Sequence, residues 1–106
     1  MERNPEDIRD AAKIFKALSH PARLELACHL SQDGPTTQKD LITKLGWPQS
    51  TMARHLGPLR DTGLISGQRR GPEVILSVTS ELVSNMVQSL CDWFHEERQK
   101  RVKEDA

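Results

Sequence analysis

The sequence is poor in cysteine and in aromatic residues, and it has no net charge. Among 106 residues it contains two Cys, two Trp, two Phe and no Tyr, and its 15 Lys and Arg are balanced by 15 Asp and Glu. Two cysteines are too few for a disulfide-stapled secreted scaffold, which excludes that class. A neutral chain is also a poor fit for a protein that coats nucleic acid without specificity.

Long apolar runs are missing as well. No stretch approaches the roughly 20 apolar residues that cross a bilayer, and the first ten residues, MERNPEDIRD, lack the apolar region of a signal peptide. We therefore expect a cytoplasmic protein with no membrane partner. The length predicts a single domain over residues 1–106. Because a unit of this size buries only about two thirds of its unfolded surface, a partner subunit would add stability.

The charges cancel in number but are unevenly distributed along the chain. Between Gln49 and Gly71 four arginines stand against one aspartate, whereas residues 72–95 contain three acidic residues and no Lys or Arg. Such segregation allows one face to bind phosphate while the rest of the surface stays acidic or neutral.

Helical patterns occupy both ends of the chain. The Asn-Pro pair at residues 4–5 is a helix-start signal, His20 is expected to cap a second helix, and Ser80 is expected to cap a long last helix. The apolar faces of the first and last helices exceed what one small core needs, which indicates a dimer interface. Its predicted residues are Ile8, Phe15, Val83, Val87, Leu90 and Phe94.

Two short helices and a hairpin are predicted between these ends. Thr36 and Thr37 offer caps for a helix that ends at Gly46, and a tight turn leads into a fourth helix, which is the spacing of a helix-turn-helix at about 37–62. Two β-prone segments around the turn residues RGPE predict a hairpin at about 64–79. The predicted fold is a mainly α winged helix-turn-helix: five helices, a two-stranded β-hairpin wing and a C-terminal dimerisation helix at about 80–103.

The fourth helix and the hairpin carry the candidate DNA-binding residues. Gln and Arg side chains can bind base edges in a major groove, Ser and Thr can hold phosphates, and hairpin arginines can reach phosphates or the minor groove. A solvated helix face and a charged tip kept for solubility are the alternatives. The candidates are Gln49, Ser50, Thr51, Arg54, His55, Arg69 and Arg70, of which His55 is expected to face either DNA or the helix-turn-helix core.

Pro58 lies inside the predicted fourth helix. It cannot donate a hydrogen bond to the carbonyl of Arg54, so we expect a kink or a local restart there. DNA readout is therefore expected from the turns before Pro58.

The segments ALSHPARLELACHL and QSTMARHLGPLRDTGLI, followed by a hairpin, resemble the ArsR family of bacterial winged-helix repressors over about residues 11–95. The resemblance implies a homodimer joined through its first and last helices. It also implies a palindromic operator that is released when a metal ion or a reactive species is sensed.

The sensor sites of the family are incomplete in this sequence. One class of metal sensor has a Cys-x-Cys motif where this chain has Thr37–Leu41, and a second class has a last-helix site whose positions here hold Ser80, Leu82, Trp93 and Glu96. Only the carboxylate of Glu96 matches that second site.

A third class of family sensor uses two cysteines as a dithiol switch. Cys28 matches its first position, whereas the second position aligns with His95, and Cys91 lies one helical turn earlier. The alternatives are two buried structural cysteines or a nonstandard zinc or nickel site drawn from Cys28, His29, Cys91 and His95, although adjacent residues 28 and 29 point in different directions on a helix. No cofactor is certain, and the signal could instead arrive through a second sensing protein.

The sequence thus predicts a dimeric, sequence-specific DNA-binding regulator of transcription, a repressor of the ArsR type that responds to a metal ion or to thiol oxidation. The alternative is a winged-helix protein-interaction module without direct DNA binding, which the zero net charge and a wing with only two arginines favour. An enzyme is not predicted, because the sequence has no phosphate-binding glycine loop, no metal-hydrolase spacing and no nucleophile with an evident base.

Overall fold

Between residues 3 and 105, which are the residues that the computed structural model describes, the chain forms five helices and a three-stranded antiparallel sheet. In chain order the elements are α1 (Pro5–Leu18), α2 (Pro21–Asp33), β1 (Thr36–Thr37), α3 (Gln38–Leu45), α4 (Gln49–Asp61), β2 (Ile65–Arg70), β3 (Glu73–Val78) and α5 (Glu81–Asp105). The predicted mainly helical winged helix-turn-helix is confirmed.

Local capping chemistry sets where the helices begin. Asn4, His20 and Ser80 each accept a hydrogen bond from the backbone N–H two residues later, at 2.8, 3.1 and 3.1 Å, and Thr37 accepts one from the N–H of residue 40 at 3.1 Å. Each side chain supplies an acceptor to a first-turn N–H that has no partner within its helix. The predicted cap of α2 by His20 is confirmed.

The wing has one strand more than the sequence predicts. The hairpin of β2 and β3 pairs from Ile65 opposite Val78 to Arg70 opposite Glu73. The two residues of β1, Thr36 and Thr37, add a short third strand on the free edge of β3. The expected two-stranded wing is therefore corrected: the extended residues that lead into α3 satisfy backbone groups of β3.

One apolar core joins the helix-turn-helix to the wing. Its fully buried side chains come from α2, α3, α4 and β3 and are Leu26, Leu30, Leu41, Met52, Leu59 and Leu76. Val83 and Val87 of α5, predicted at a dimer interface, are only 6% and 2% exposed and belong to this core. The prediction for these two valines is wrong because they lie on the side of α5 that packs on the core.

α4 continues without interruption through Pro58 to Asp61, so the expected local restart does not occur. Leu56 and Leu59, on either side of the proline, are buried and hold the helix on the core. The hydroxyl of Thr62 donates to the carbonyls of Pro58 and Leu59, which satisfies acceptors of the last turn.

Two glycines give a matched test of the helix-turn-helix geometry. Gly46 ends α3 in the left-handed region at φ 70°, whereas Gly57 lies inside α4, where a Cβ would meet no other described atom within 4 Å. We expect Gly46→Ala to lower the free energy of unfolding by about 1 kcal/mol, because alanine is strained at positive φ. Gly57→Ala should raise it by up to about 1 kcal/mol through helix propensity. Urea unfolding measures both, and equal effects would contradict the assigned backbone conformations.

Candidate nucleic-acid interface

The two sides of α4 have opposite environments. Met52, Leu56 and Leu59 are buried on one side, and Gln49, Ser50 and Arg54 are exposed on the other, with Thr51 half-buried between them. The apolar side fixes the helix to the core, so the polar side is presented to solvent in a fixed orientation. Amide, hydroxyl and guanidinium groups in the first turns of an exposed helix are suited to base edges and phosphates.

His55 does not belong to this exposed face. It is only 6% exposed, and its ring centroid lies 4.6 Å from that of His20 and 5.8 Å from that of Trp47. Burial lowers the pKa of His55, and the positive charges of His20, Arg54 and Arg23 lower it further. The prediction of a DNA contact by His55 is therefore corrected: of the two expected environments, the structure places it in the helix-turn-helix core.

The wing presents two exposed arginines. Arg69 and Arg70 end β2, and Gly71 makes the turn with φ 58° before Glu73 begins β3. Both side chains are exposed, so their guanidinium groups can reach a phosphate backbone.

A residue that the sequence prediction omitted lies between the wing and α4. Gln38 and Lys39, in the first turn of α3, line an open depression with Gln49, and Glu73 of the wing lies on its other side. The signal in the sequence was a lysine in the first turn of a helix, where backbone N–H groups also favour anions. Lys39 is therefore a further candidate for a phosphate contact.

Arg60 connects α4 to the wing. A Cβ at Gly67 would lie only 3.0 Å from Nη2 of Arg60 and 3.3 Å from Cγ1 of Val74, so the absence of a side chain at Gly67 leaves room for the guanidinium to lie against β2. Arg60 thus contacts β2 from the last turn of α4.

The two cysteines meet between α2 and α5. Sγ of Cys28 lies 2.9 Å from Sγ of Cys91, and both side chains are half-buried. Burial, and then the hydrogen bond with Cys91, raise the pKa of the Cys28 thiol to about 12, so this thiol keeps its proton at neutral pH. The sequence did not fix the distance between the two cysteines, and the structure places them in contact.

The four predicted metal ligands do not converge. His29 lies 3.8 Å from a carboxylate oxygen of Glu25, and His95 is exposed on α5. In the part of the chain that the structure describes, no three His, Cys, Asp or Glu side chains are grouped as metal ligands. Only the Cys28–Cys91 pair of the predicted set is brought together.

Large apolar side chains are left uncovered on the outer faces of α1 and α5. Ile8 and Phe15 of α1 are 57% and 62% exposed, and Leu90 and Phe94 of α5 are each 48% exposed. Trp93, which the sequence prediction did not include, packs edge-to-face on Phe94 with ring centroids 4.7 Å apart. These side chains are candidates for contact with a second protein chain. No helix between residues 3 and 105 has the length and apolar character to cross a membrane.

Known proteins resemble this chain in sequence and in fold. A family model described as a helix-turn-helix domain matches residues 18–68. The HTH-type transcriptional regulator YgaV of Escherichia coli (strain K12) is 36% identical over 80 residues, which cover 76% of this chain and 81% of that protein.

Two solved structures extend the resemblance to the arrangement of the helices and wing. The transcriptional repressor BigR from Xylella fastidiosa has a TM-score of 0.74 at 29% identity. The alignment covers 87% of this chain and 97% of the BigR chain. Reduced HlyU from Vibrio cholerae N16961 has a TM-score of 0.76 at 26% identity and covers 84% of this chain and 93% of its own.

The relatives named as regulators or repressors agree with the predicted function and not with an enzyme. The observed order of helices and strands, the divided faces of α4 and the arginines of the wing match what such a regulator requires. This chain belongs to the ArsR family of winged helix-turn-helix transcriptional regulators.

Proposed function

We propose that the protein is a cytoplasmic, dimeric repressor that binds a specific operator, with the first turns of α4 in the major groove and the wing on the flanking backbone. The observation that carries this proposal is the division of α4 into a buried apolar side and an exposed side that presents Gln49, Ser50 and Arg54. A helix of this kind reads bases only if its back is fixed, and Met52 and Leu59 fix it.

The charges on this face favour specific binding over general attraction to DNA. The chain has no net charge, so affinity has to come from a few placed cations: Arg54 on α4, Arg69 and Arg70 on the wing and Lys39 on α3. Each phosphate contact that such a cation makes releases counterions and adds to the salt dependence of binding. A two-fold dimer would place two such faces about 34 Å apart on successive turns of a palindromic site.

Removal of the Arg54 side chain tests the direct readout. We expect Arg54→Ala to weaken operator binding about 10- to 100-fold, since a bidentate arginine–base contact contributes about 1–3 kcal/mol. Arg98→Ala, which removes the same charge from an exposed position on α5, is the matched control and should change binding less than twofold. Fluorescence anisotropy on DNA from upstream of its own gene measures both.

Three results of that titration would contradict the proposed operator recognition by α4. Equal, weak binding of the wild type to any DNA would exclude specificity. Specific binding that Arg54→Ala leaves unchanged would move readout away from α4. A complete lack of DNA binding would favour the interaction module that the neutral charge also allows.

The uncovered faces of α1 and α5 support the dimer. Phe15 on α1 and Phe94 on α5 are large apolar groups outside the core, although the chain has only two phenylalanines. Apolar area of this size left in water contributes nothing to stability, whereas burial against a second copy would be favourable. The second copy would also supply the second recognition helix that a palindromic operator requires.

A charge placed on this surface should separate the subunits. We expect Phe15→Asp to weaken dimerisation by at least about tenfold, because a carboxylate would lose its hydration in an apolar contact. Phe15→Leu, which keeps the apolar character, should remain a dimer. Sedimentation velocity at low micromolar concentration measures the effect, and two variants that both sediment like the wild type would place the dimer contact elsewhere.

The contact of Cys28 with Cys91 supports thiol oxidation as the signal. Two thiols can lose two protons and two electrons to a hydroperoxide, which is reduced to alcohol and water, while one S–S bond forms. The 2.9 Å between the sulfurs would shorten to about 2.05 Å. This bond would link α2 covalently to α5 and would change the angle between α5 and the helix-turn-helix.

Oxidation of the wild type should release the operator. We expect a hydroperoxide to lower operator affinity at least about tenfold and to reduce the mass by two hydrogens, whereas Cys28→Ser and Cys91→Ser should bind equally well before and after treatment. The rate should rise with pH, because the thiolate is the reactive form and the pKa of Cys28 is raised to about 12. Mass spectrometry and anisotropy follow the two events.

The same assay separates the other signals. Zinc or nickel that changes the affinity of the reduced protein, and loses this effect in Cys28→Ser, would identify a metal sensor in place of the dithiol. Specific binding that ignores oxidant and metal alike would indicate a second sensing protein.

A further inference from the structure

His55 lies on the buried side of α4, behind the exposed face of that helix. Its Nδ1 is buried, and among residues 3–105 no atom forms a hydrogen bond with it. An unpaired buried polar atom is costly, so its presence in the middle of α4 calls for an explanation other than packing. The ring also follows directly after Arg54, the exposed arginine of the recognition face.

Two aromatic neighbours of His55 come from other parts of the chain. His20, the cap of α2, contacts it at 4.6 Å between ring centroids, and Trp47, in the turn between α3 and α4, contacts it at 5.8 Å. His20 itself is exposed, so solvent protons reach the edge of this aromatic group. The group therefore holds α4 against the start of α2 and borders water on one side.

We propose that His55 is a positioning residue for DNA binding, which holds α4 in its operator-binding orientation only while its ring is neutral and so makes operator affinity fall in acid. This inference rests on the proposed operator binding and adds a form of regulation to it.

The charged groups near His55 oppose its protonation. They are His20 at the start of α2, Arg23 within α2 and the adjacent Arg54 on the exposed side of α4. Trp47, which also packs on the ring, carries no charge. Burial and these cations lower the pKa of His55. A protonated ring is consequently driven out of the core, away from the His20 and Trp47 rings.

The contact of His55 with His20 also reaches the start of α2. Nδ1 of His20 accepts the N–H of Ala22 at 3.1 Å, so the residue that packs on the His55 ring also caps α2. Movement of a protonated His55 ring away from His20 would therefore loosen the junction that supports the N-terminal half of α4.

The sign of the pH effect follows from linkage. A histidine whose pKa is lowered in the folded, binding-competent state stabilises that state above its ordinary pKa near 6.5, and this stability is lost as the pH falls below it. A group with a pKa of about 6.5 would be roughly nine-tenths protonated at pH 5.5, which limits the loss of affinity at that pH to about tenfold.

Operator binding at pH 7.5 and 5.5 tests this role of His55. We expect the wild type to lose about two- to tenfold more affinity over this interval than His55→Phe, which keeps an aromatic ring that cannot titrate. The same comparison with His55→Gln guards against a packing effect of phenylalanine. The other three histidines are present in all three proteins, so the difference isolates residue 55. His95→Gln, which removes an exposed histidine, should keep the wild-type pH profile.

Imidazole proton resonances of the wild type supply a measurement that needs no variant. The titration midpoint of His55 should coincide with the midpoint of the affinity loss and with shifts of α4 backbone amides. Equal pH profiles for the wild type and both variants would overturn the inference while operator binding stands. Absence of operator binding at pH 7.5 would overturn both, and a His55 ring that titrates without movement of α4 would overturn the inference alone.

Discussion

The position of α4 depends on the apolar contact behind it. Met52, Leu56 and Leu59 belong to one buried cluster with leucines of α2, α3 and β3. A side chain of this size contributes about 1.5–3 kcal/mol when it is fully buried. Without this contact, a 13-residue helix with a proline and a glycine in its interior would not be stable in water. The polar side of α4 can remain exposed because burial of the apolar side stabilises the helix.

The same small core explains the surface that remains apolar. A chain of this length cannot cover both sides of α1 and α5, so α5 turns Val83 and Val87 inward and leaves Leu90 and Phe94 outside. A second copy packed on these groups would bury them and would supply a second recognition helix. The same dimer contact would therefore bury the exposed apolar side chains and set the spacing of the two recognition helices.

Features set by neighbouring residues were predictable from the sequence, and features set by packing were not. The cap at His20 and the left-handed end of α3 at Gly46 follow from local chemistry, and both occur as predicted. The third strand at Thr36–Thr37 depends on where β3 lies, and the direction of Val83 depends on where α2 lies. For His55 the sequence left two environments open, because a histidine suits a DNA face and a core equally well. Of the DNA-binding candidates, only that residue is placed in the core; whether the others bind DNA stays a prediction.

α2 is the element through which a chemical event could reach the DNA face. At its start, His20 contacts His55 of α4; in its middle, Cys28 contacts Cys91 of α5. A helix of 13 residues is about 20 Å long, and a displacement of α2 at one contact would be transmitted to the other if the helix moved as a unit. Thiol oxidation would act at the contact between α2 and α5, and protonation would act at the contact between α2 and α4. Both would change how α2 supports α4. Thiol oxidation and protonation would then have the same effect. Each would change the orientation of α4 relative to α4 of the second subunit.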